Sequence, residues 1–283
     1  MRNQIMKLKK GICTAVLLAM MLPAAAQKNE NDMDRIERCK ETYTSLFGGE
    51  ALTGEGTDPE FMDILQKFIF GEVFYVGDLD KPTRELITCT TLATMQTLPQ
   101  LKAHAAAALR VGVSPVQLRE AIYQCAPFIG FPKTLNAIAT INEVFKEKGI
   151  ALPLEAQATT AEDERYEKGH AIQYPLYGDE IARKMEGVPD SMGRDVARFL
   201  TEYAFGDIYT RGGLSVEMRE LLIYCILTTI GADAQLYSHA QANVKLGTTP
   251  ATLVAVVVQC LPYVGFPAAL KALQAITDAT ARP

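Results

Sequence analysis

The chain has 283 residues, with 28 lysines and arginines against 33 aspartates and glutamates, so its net charge is −5. An acidic balance of this kind argues against nucleic acids and anionic membrane surfaces as partners. Hydrophobic residues make up 48% of the chain, and its length suits two domains of ordinary size.

The N-terminal residues have the pattern of a signal peptide. Three lysines precede an apolar run at residues 12–22, and the alanines at residues 24–26 form a small-residue cleavage pattern. We expect residues 1–26 to be removed, which changes the charge to 24 − 33 = −9 and makes the mature protein periplasmic or secreted. No later segment is predicted to be long and apolar enough to cross a membrane, and no membrane contact is expected after cleavage.

The rest of the chain contains one sequence pattern twice. Residues 70–145 align with residues 205–280 at a constant offset of 135, without a gap, and about one third of the aligned positions are identical. A repeat of this length indicates a duplicated structural unit. We predict a first domain at residues 37–148, a linker at residues 149–163 and a second domain at residues 164–283. These two domains are called the first and the second repeat below.

The segments in front of the matched regions correspond more loosely. Glu37-Arg38 aligns with Glu164-Arg165 at an offset of 127. This alignment predicts that the second repeat carries about eight additional residues before its matched region.

Helix signals cover both repeats. In the first repeat, helices are predicted over residues 81–97 and 99–110, with Gly112 as the stop signal, and Ser114-Pro115 begins the next helix with a capping box. A last helix is predicted from Phe131 to Glu147, and the second repeat has equivalent signals at Gly247, Thr249-Pro250 and Pro267. No segment shows sustained strand alternation. The predicted fold class is all-α.

The predicted helices are unusually apolar. Residues 253–261 are hydrophobic on nearly every side, and a helix of this kind is normally buried all round. We therefore expect the two repeats to pack on each other as a pseudo-dimer, and we expect further self-association.

Two histidines, His104 and His239, occupy equivalent positions of the two repeats, and each follows a glutamate by 19 residues. The glutamates, Glu85 and Glu220, lie on the preceding predicted helix, and an antiparallel turn would bring each pair within about 6 Å along the helix axis. A buried Glu–His pair suits acid/base catalysis, because each group shifts the protonation of the other. The alternative is that these pairs only satisfy polar groups inside a helical bundle.

An arginine precedes each of these glutamates. Arg84 and Arg219 are candidates for binding an anionic substrate, because a guanidinium group suits bidentate contact with a carboxylate. The alternative is a structural ion pair with a neighbouring carboxylate. Phe128 and Tyr263, also equivalent, either line a cavity or fill the core.

The cysteines do not predict a disulfide framework. Five remain after removal of residues 1–26, and an odd number leaves at least one thiol unpaired. Cys125 and Cys260 are equivalent in the repeats and are expected to be buried core residues. No cluster of histidine, cysteine and aspartate has the spacing of a zinc site, so no metal is expected.

Residues 104–137 and 239–272 share His-Ala, Gln-Cys and Gly-Phe-Pro in the same order, and residues 70–88 and 205–223 share Arg-Glu. These segments resemble the carboxymuconolactone decarboxylase family. The resemblance covers most of the mature chain. It implies two tandem helical bundles of the alkylhydroperoxidase D-like type and a homo-oligomer, a trimer of two-domain chains.

One branch of that family is a thiol peroxidase with a Cys-x-x-Cys motif followed by histidine. Residue by residue, those cysteine positions fall on Thr97 and Gln100 in the first repeat and on Ala232 and Gln235 in the second. No thiol stands where peroxide reduction would need one, so peroxidase activity by the family mechanism is not expected.

The sequence is more similar to the other branch, the lactone decarboxylases. This resemblance implies loss of CO2 from a small carboxylated lactone or related acid, without a metal or an organic cofactor. His104 and His239 would act as general acids or orient the substrate. Glu85 and Glu220 would set the tautomer and the charge of these histidines, and Arg84 or Arg219 would help to hold anionic groups. The alternative is a non-catalytic helical binding or assembly protein on the same scaffold.

Overall fold

Helices and their connections make up residues 34–281, which are the residues that the computed structural model describes, and this range contains no strand. The predicted all-α fold is confirmed. The predicted signal peptide lies outside the described residues. The first repeat consists of a 3₁₀ turn at Val73–Tyr75 and the helices α1 (Arg35–Phe47), α2 (Pro59–Gly71), α3 (Lys81–Met95), α4 (Leu98–Arg110), α5 (Pro115–Tyr123), α6 (Ala126–Ile129) and α7 (Phe131–Glu147).

The second repeat follows the same plan with a more elaborate front part. It contains 3₁₀ turns at Glu162–Glu164 and Pro189–Ser191, a π-helix at Leu200–Tyr209, and the helices α8 (Arg165–Tyr177), α9 (Glu180–Met185), α10 (Met192–Phe199), α11 (Val216–Ile230), α12 (Asp233–Lys245) and α13 (Pro250–Thr280).

Local sequence signals set the ends of several helices. Ser114 forms the predicted capping box with Gln117. The hydroxyl of Thr249 caps α13 by accepting from the backbone N–H of Thr252. Gly112 follows α4 with a φ of +105°, a backbone conformation that favours glycine. The predicted new helix at Pro267 takes the form of a kink, because Gly265 leaves the helical conformation inside α13.

The alignment of the front segments at an offset of 127 is wrong. A Cβ added to Gly71 would lie 2.4 Å from the carbonyl oxygen of Arg35, and one added to Gly206 would lie 2.3 Å from that of Arg165. These equivalent close approaches pair α1 with α8 at an offset of 165 − 35 = 130. The second repeat therefore carries 135 − 130 = 5 additional residues, and they lie in the segment that contains α9.

The two repeats share one core, as the pseudo-dimer prediction requires. Leu86 and Cys89 of α3 belong to the same buried cluster as Leu222 of α11 and Val256 and Cys260 of α13. The helices from the middle of each repeat thus pack against each other. Burial of their apolar surface stabilises the pair of repeats as a unit.

Helix α13 is the one helix in the described range that is long and apolar enough to cross a membrane by length and composition. The expectation that no segment passes this test was wrong. The first half of α13 nevertheless contributes Leu253, Val257 and Cys260 to the buried core, and Gly265 interrupts the helix. A core helix of this kind meets the same criterion as a membrane span.

Candidate functional site

Both predicted Glu–His pairs are present. Nδ1 of His104 on α4 lies 2.9 Å from Oε2 of Glu85 on α3. Nδ1 of His239 on α12 lies 2.9 Å from Oε2 of Glu220 on α11. Both glutamates are completely buried. A carboxylate at Nδ1 favours the tautomer with the proton on that nitrogen, so Nε2 is left to exchange a proton with a ligand.

Two tyrosines extend the pair of the second repeat. The hydroxyl of Tyr177 donates to Oε1 of Glu220 at 2.7 Å and lies 2.8 Å from Nδ1 of His239. The hydroxyl of Tyr209 donates to the same Oε1 at 2.5 Å. Burial, and next the charge of Glu220, raise the pKa of both tyrosines above the ordinary value. Both phenols therefore stay protonated and keep donating to the carboxylate.

The pair of the first repeat lacks these hydroxyl groups. Phe74 occupies the position equivalent to Tyr209, and Phe47, the last residue of α1, occupies that of Tyr177, the last residue of α8. The ring of Phe47 lies 5.4 Å from the ring of His104. Oε1 of Glu85 has no hydrogen-bond partner among the described residues. The two repeats therefore hold the same Glu–His pair in different polar surroundings.

Each pair is completed by an aromatic ring of the opposite repeat. The ring of Phe128 lies 6.3 Å from that of His239, and the ring of Tyr263 lies 5.9 Å from that of His104. Phe128 also lines a cavity beside His239. Tyr263 is enclosed, and this burial raises the pKa of its hydroxyl group. Both candidate sites are thus built at the contact between the repeats.

A cavity of about 470 Å³ opens beside the pair of the second repeat. Its walls are mostly apolar, and His239, Tyr177 and Tyr209 supply polar atoms. A cavity of this size and character suits a small organic molecule. Part of its rim comes from α9, through Glu180, Ile181, Lys184 and Met185.

The π-helix brings its residues to this cavity. Ala204, Phe205 and Tyr209 all lie on its wall. A π-helix is rare, and its wider turns are frequent at functional sites. The alignment of the repeats pointed to Tyr209, because at the offset of 135 this tyrosine aligns with Phe74, so the hydroxyl is present in one repeat only. Tyr177 carried no such signal, since the front segments were aligned incorrectly.

The arginines do not line this cavity. Arg84 donates to the carbonyl oxygens of Leu79, Val76 and Gly77 and to the side-chain oxygen of Gln259. Burial lowers its pKa to about 10.

Arg219 has an equivalent set of contacts. It donates to the carbonyl oxygens of Arg211 and Gly212, to Gln124 and to Oε2 of Glu120. Gln124 and Glu120 belong to the first repeat, so this arginine joins the repeats. These contacts favour the structural alternative over substrate binding for both arginines.

The model of the "Carboxymuconolactone decarboxylase family" matches residues 59–143 and 194–278. The matches begin 194 − 59 = 135 residues apart, as the internal repeat does, and together they cover more than half of the chain. The chain belongs to the carboxymuconolactone decarboxylase family. It carries the family's domain twice.

The chain is also similar to one individual protein and to one solved structure. The 4-carboxymuconolactone decarboxylase of Acinetobacter baylyi (strain ATCC 33305 / BD413 / ADP1) is 29% identical over 126 residues, which cover 43% of this chain and 94% of that protein. A crystal structure described as a gamma-carboxymuconolactone decarboxylase subunit, from Burkholderia xenovorans LB400, superposes with a TM-score of 0.52. It is 20% identical and covers 89% of this chain and 99% of its own, so it shows the fold.

The cysteines of this family member lie away from the cavity. All five in the described range are free and buried, as expected for Cys125 and Cys260. Burial raises the pKa of Cys125 to about 12 and raises that of Cys89 well above the ordinary value. Thiols held in the protonated form are poor nucleophiles. Ala232 and Gln235, at the positions of the family's redox cysteines, do line the cavity.

Metal-binding side chains are not grouped in the described part of the chain. Within residues 34–281, no three or more histidine, cysteine, aspartate or glutamate side chains come close enough together to hold a metal ion.

Proposed function

We propose that this protein carries out cofactor-free acid/base chemistry of the decarboxylase type on a small carboxylated lactone or a related acid. The observation that carries the proposal is the buried Glu220–His239 pair on the wall of an apolar cavity of about 470 Å³. The names of the relatives support the substrate class. The apolar wall supports a small organic ring as the body of the substrate.

The proposed reaction needs one proton delivered to carbon. Loss of CO2 breaks the bond between the ring carbon and the carboxylate carbon, and its electron pair moves into the conjugated lactone carbonyl. Nε2 of His239 then donates a proton to carbon, and the imidazole regains a proton from water. Glu220, at Nδ1, stabilises the imidazolium form before the transfer and keeps the ring oriented.

Arg84 and Arg219, which the sequence suggested for the substrate carboxylate, do not line the cavity, so the carboxylate needs a different cation. Lys184 on α9 is the one lysine or arginine among the described residues that line the cavity, and it pairs with Glu180 at the rim. An incoming carboxylate can compete with Glu180 for this ammonium group. We propose Lys184 as the contact that holds the anionic group of the substrate.

The test is CO2 release from gamma-carboxymuconolactone by the purified protein and its variants. Glu220→Gln and His239→Gln are expected to lower kcat by about 100-fold or more, while the melting temperature stays within a few degrees. Glu85→Gln and His104→Gln are the matched variants of the first repeat, and they report whether that pair also contributes. Unchanged turnover in the quadruple variant would falsify the proposal.

A non-catalytic binding or assembly protein is the second candidate. The observation in its favour is that each Glu–His pair joins consecutive helices, as a purely structural contact would. Under this alternative, the four substitutions lower the melting temperature, and no turnover is detected in the unmodified protein.

Export and assembly are further proposals on the same protein. The pattern of residues 1–26 supports export to the periplasm or secretion. The resemblance to the family, together with the apolar helices, supports a trimer of two-domain chains. Mass spectrometry of the exported protein tests the first proposal, which requires a new N-terminus near residue 27. Light scattering tests the second, and a monomeric mass contradicts it.

A further inference from the structure

The hydroxyl group of Tyr177 contacts both members of the second Glu–His pair. It donates to Oε1 of Glu220 at 2.7 Å, and its oxygen lies 2.8 Å from Nδ1 of His239. Tyr177 is the last residue of α8 and lies on the cavity wall. The single hydroxyl hydrogen of Tyr177 is directed at Glu220, so towards Nδ1 of His239 its oxygen acts as an acceptor, and the three side chains form a closed ring of hydrogen bonds.

This ring fixes the carboxylate of Glu220 at both oxygens. Oε2 faces His239, while Oε1 accepts from Tyr177 and Tyr209. A carboxylate held on two sides cannot turn about its own axis, so the acceptor for the Nδ1 proton stays in place. Nδ1 itself has two oxygen atoms within hydrogen-bond distance, those of Tyr177 and Glu220. While Tyr177 donates to Glu220, a shift of the Nδ1 proton to Nε2 would leave both of these contacts without a hydrogen.

The first repeat is an internal comparison in which the hydroxyl groups are missing. Phe47 stands at the position of Tyr177, and its ring lies 5.4 Å from the ring of His104, while the ring of Tyr177 lies 5.1 Å from that of His239. The aromatic packing is therefore retained and only the hydroxyl differs. Packing alone does not explain Tyr177, because phenylalanine fills the same place in the first repeat, and a buried hydroxyl costs free energy unless it is bonded.

We propose that Tyr177 is a positioning residue that keeps the proton on Nδ1 of His239, with Nε2 directed at the cavity, and that the second repeat therefore holds the working acid/base site. Only the statement that the second repeat is the site of turnover rests on the proposed function. The positional role of Tyr177 is a separate statement about the ring of hydrogen bonds. It does not require that any particular lactone is turned over.

The experiment uses the full chain labelled with 15N in its histidines. The protein has three histidines, so the imidazole signals of His104, His170 and His239 can be resolved and assigned. Tyr177→Phe is expected to speed exchange of the His239 Nδ1 proton with water by about tenfold, the effect of one lost hydrogen bond, and to leave His104 unchanged. Where turnover is measurable, kcat falls and KM is retained.

Two further variants keep the test specific. Tyr174→Phe is the matched control, because Tyr174 lies on the same helix, is half exposed and stacks on His170. It should change neither His239 exchange nor kcat. The reciprocal change Phe47→Tyr should slow exchange of the His104 Nδ1 proton, because the new hydroxyl can reach the unpartnered Oε1 of Glu85.

The possible outcomes separate this inference from the proposed function. Equal His239 exchange in the unmodified protein and in Tyr177→Phe overturns the role of Tyr177, even if the melting temperature falls. Faster exchange together with no CO2 release from any form of the protein supports the role of Tyr177 and counts against the proposed function. If Tyr177→Phe does not fold, the Phe47→Tyr variant decides, and unchanged His104 exchange overturns the inference.

Discussion

The ring of Phe128, which belongs to the first repeat, faces the imidazole of His239 in the second repeat at 6.3 Å between ring centroids. Tyr263 of the second repeat faces His104 in the same way at 5.9 Å. Neither Glu–His pair is therefore surrounded by its own repeat alone. The fused arrangement holds both walls of each site in one chain, since the repeats share a core.

This relationship predicts an effect that crosses the repeats. Phe128→Ala removes an apolar wall of the cavity, and we expect KM for the lactone at the second site to rise by about 10-fold or more, the value of one buried aromatic contact. Tyr263→Ala, the equivalent change beside His104, is the control and should leave that KM unchanged. Steady-state kinetics of both variants decide the matter, and equal effects would contradict the assignment of the cavity to His239.

Lys184 is expected to affect anionic ligands selectively. Lys184→Gln should weaken binding of benzoate by about 3- to 10-fold and leave binding of the neutral benzamide unchanged, because an exposed ammonium contributes about 1 kcal/mol to such a contact. Lys271→Gln is the matched control, since Lys271 is equally exposed and paired with Asp233 outside the cavity. Calorimetric titrations that show the same loss for both ligands, or no binding of benzoate, would refute the role of Lys184.

Gly77 is expected to be intolerant of a side chain. It has a φ of +72°, and an added Cβ would lie 2.4 Å from the Cβ of Ala255 in the other repeat. Gly77→Ala should cost about 2–4 kcal/mol, from a clash plus a strained backbone. Gly54→Ala, at a similar φ of +71° but with open space around it, should cost only the backbone part. Denaturant unfolding measures both, and equal losses would mean that the contact between the repeats gives way.

Glu120 ties the repeats together through buried charge. It accepts from Arg211 at 2.7 Å and 3.0 Å and from Arg219 at 3.4 Å, and both arginines belong to the second repeat. Glu120→Gln leaves these guanidinium groups without their counter-charge and should destabilise the protein by about 3–5 kcal/mol. Glu143→Gln, which breaks an exposed pair with Lys102, should cost less than about 1 kcal/mol in the same unfolding experiment.

Alkaline conditions should weaken the fold through the two tyrosines on Glu220. Burial raises the pKa of Tyr177 and Tyr209 above the ordinary value, so the unfolded chain releases these protons at a lower pH than the folded one. The two protonated hydroxyl groups contribute fully to the free energy of unfolding below about pH 10, and this contribution is lost as the pH rises further. The melting temperature should therefore fall less steeply between about pH 9 and pH 11 in the Tyr177→Phe/Tyr209→Phe double variant than in the unmodified protein. Parallel profiles would contradict this expectation.

The Glu–His pairs were accessible from the sequence because their geometry is local. Nineteen residues that contain one tight turn bring a glutamate and a histidine to the same level of two antiparallel helices, whatever packs around them. The helix ends at Gly112 and Ser114 were accessible for the same reason, since capping involves neighbouring residues only. The repeat itself indicated that both pairs would share one arrangement.

The structural role of Arg84 and Arg219 was one of two alternatives from the sequence, but their partners were not accessible, because these are largely backbone carbonyls. Any residue type presents a carbonyl oxygen, so the sequence carries no mark of such a contact. The five additional residues around α9 kept Tyr177 from being identified in the sequence. They shifted the alignment of α1 with α8, and the tyrosine could not be compared with Phe47 until the close approaches of Gly71 and Gly206 revealed the correct offset.

The internal repeat, the helix signals and the spacing of charged residues were enough to predict the duplicated all-α architecture, the family, the two Glu–His pairs and the absence of the family's redox cysteines from their positions. The hydrogen bonds of the second pair to two tyrosines, and the cavity beside it, became visible only in the folded molecule. The same holds for the carboxylate oxygen of the first pair, which has no hydrogen-bond partner among the described residues. Helix periodicity and capping act within a few residues, whereas a hydroxyl reaches a buried carboxylate only after helices distant in sequence have packed in one register.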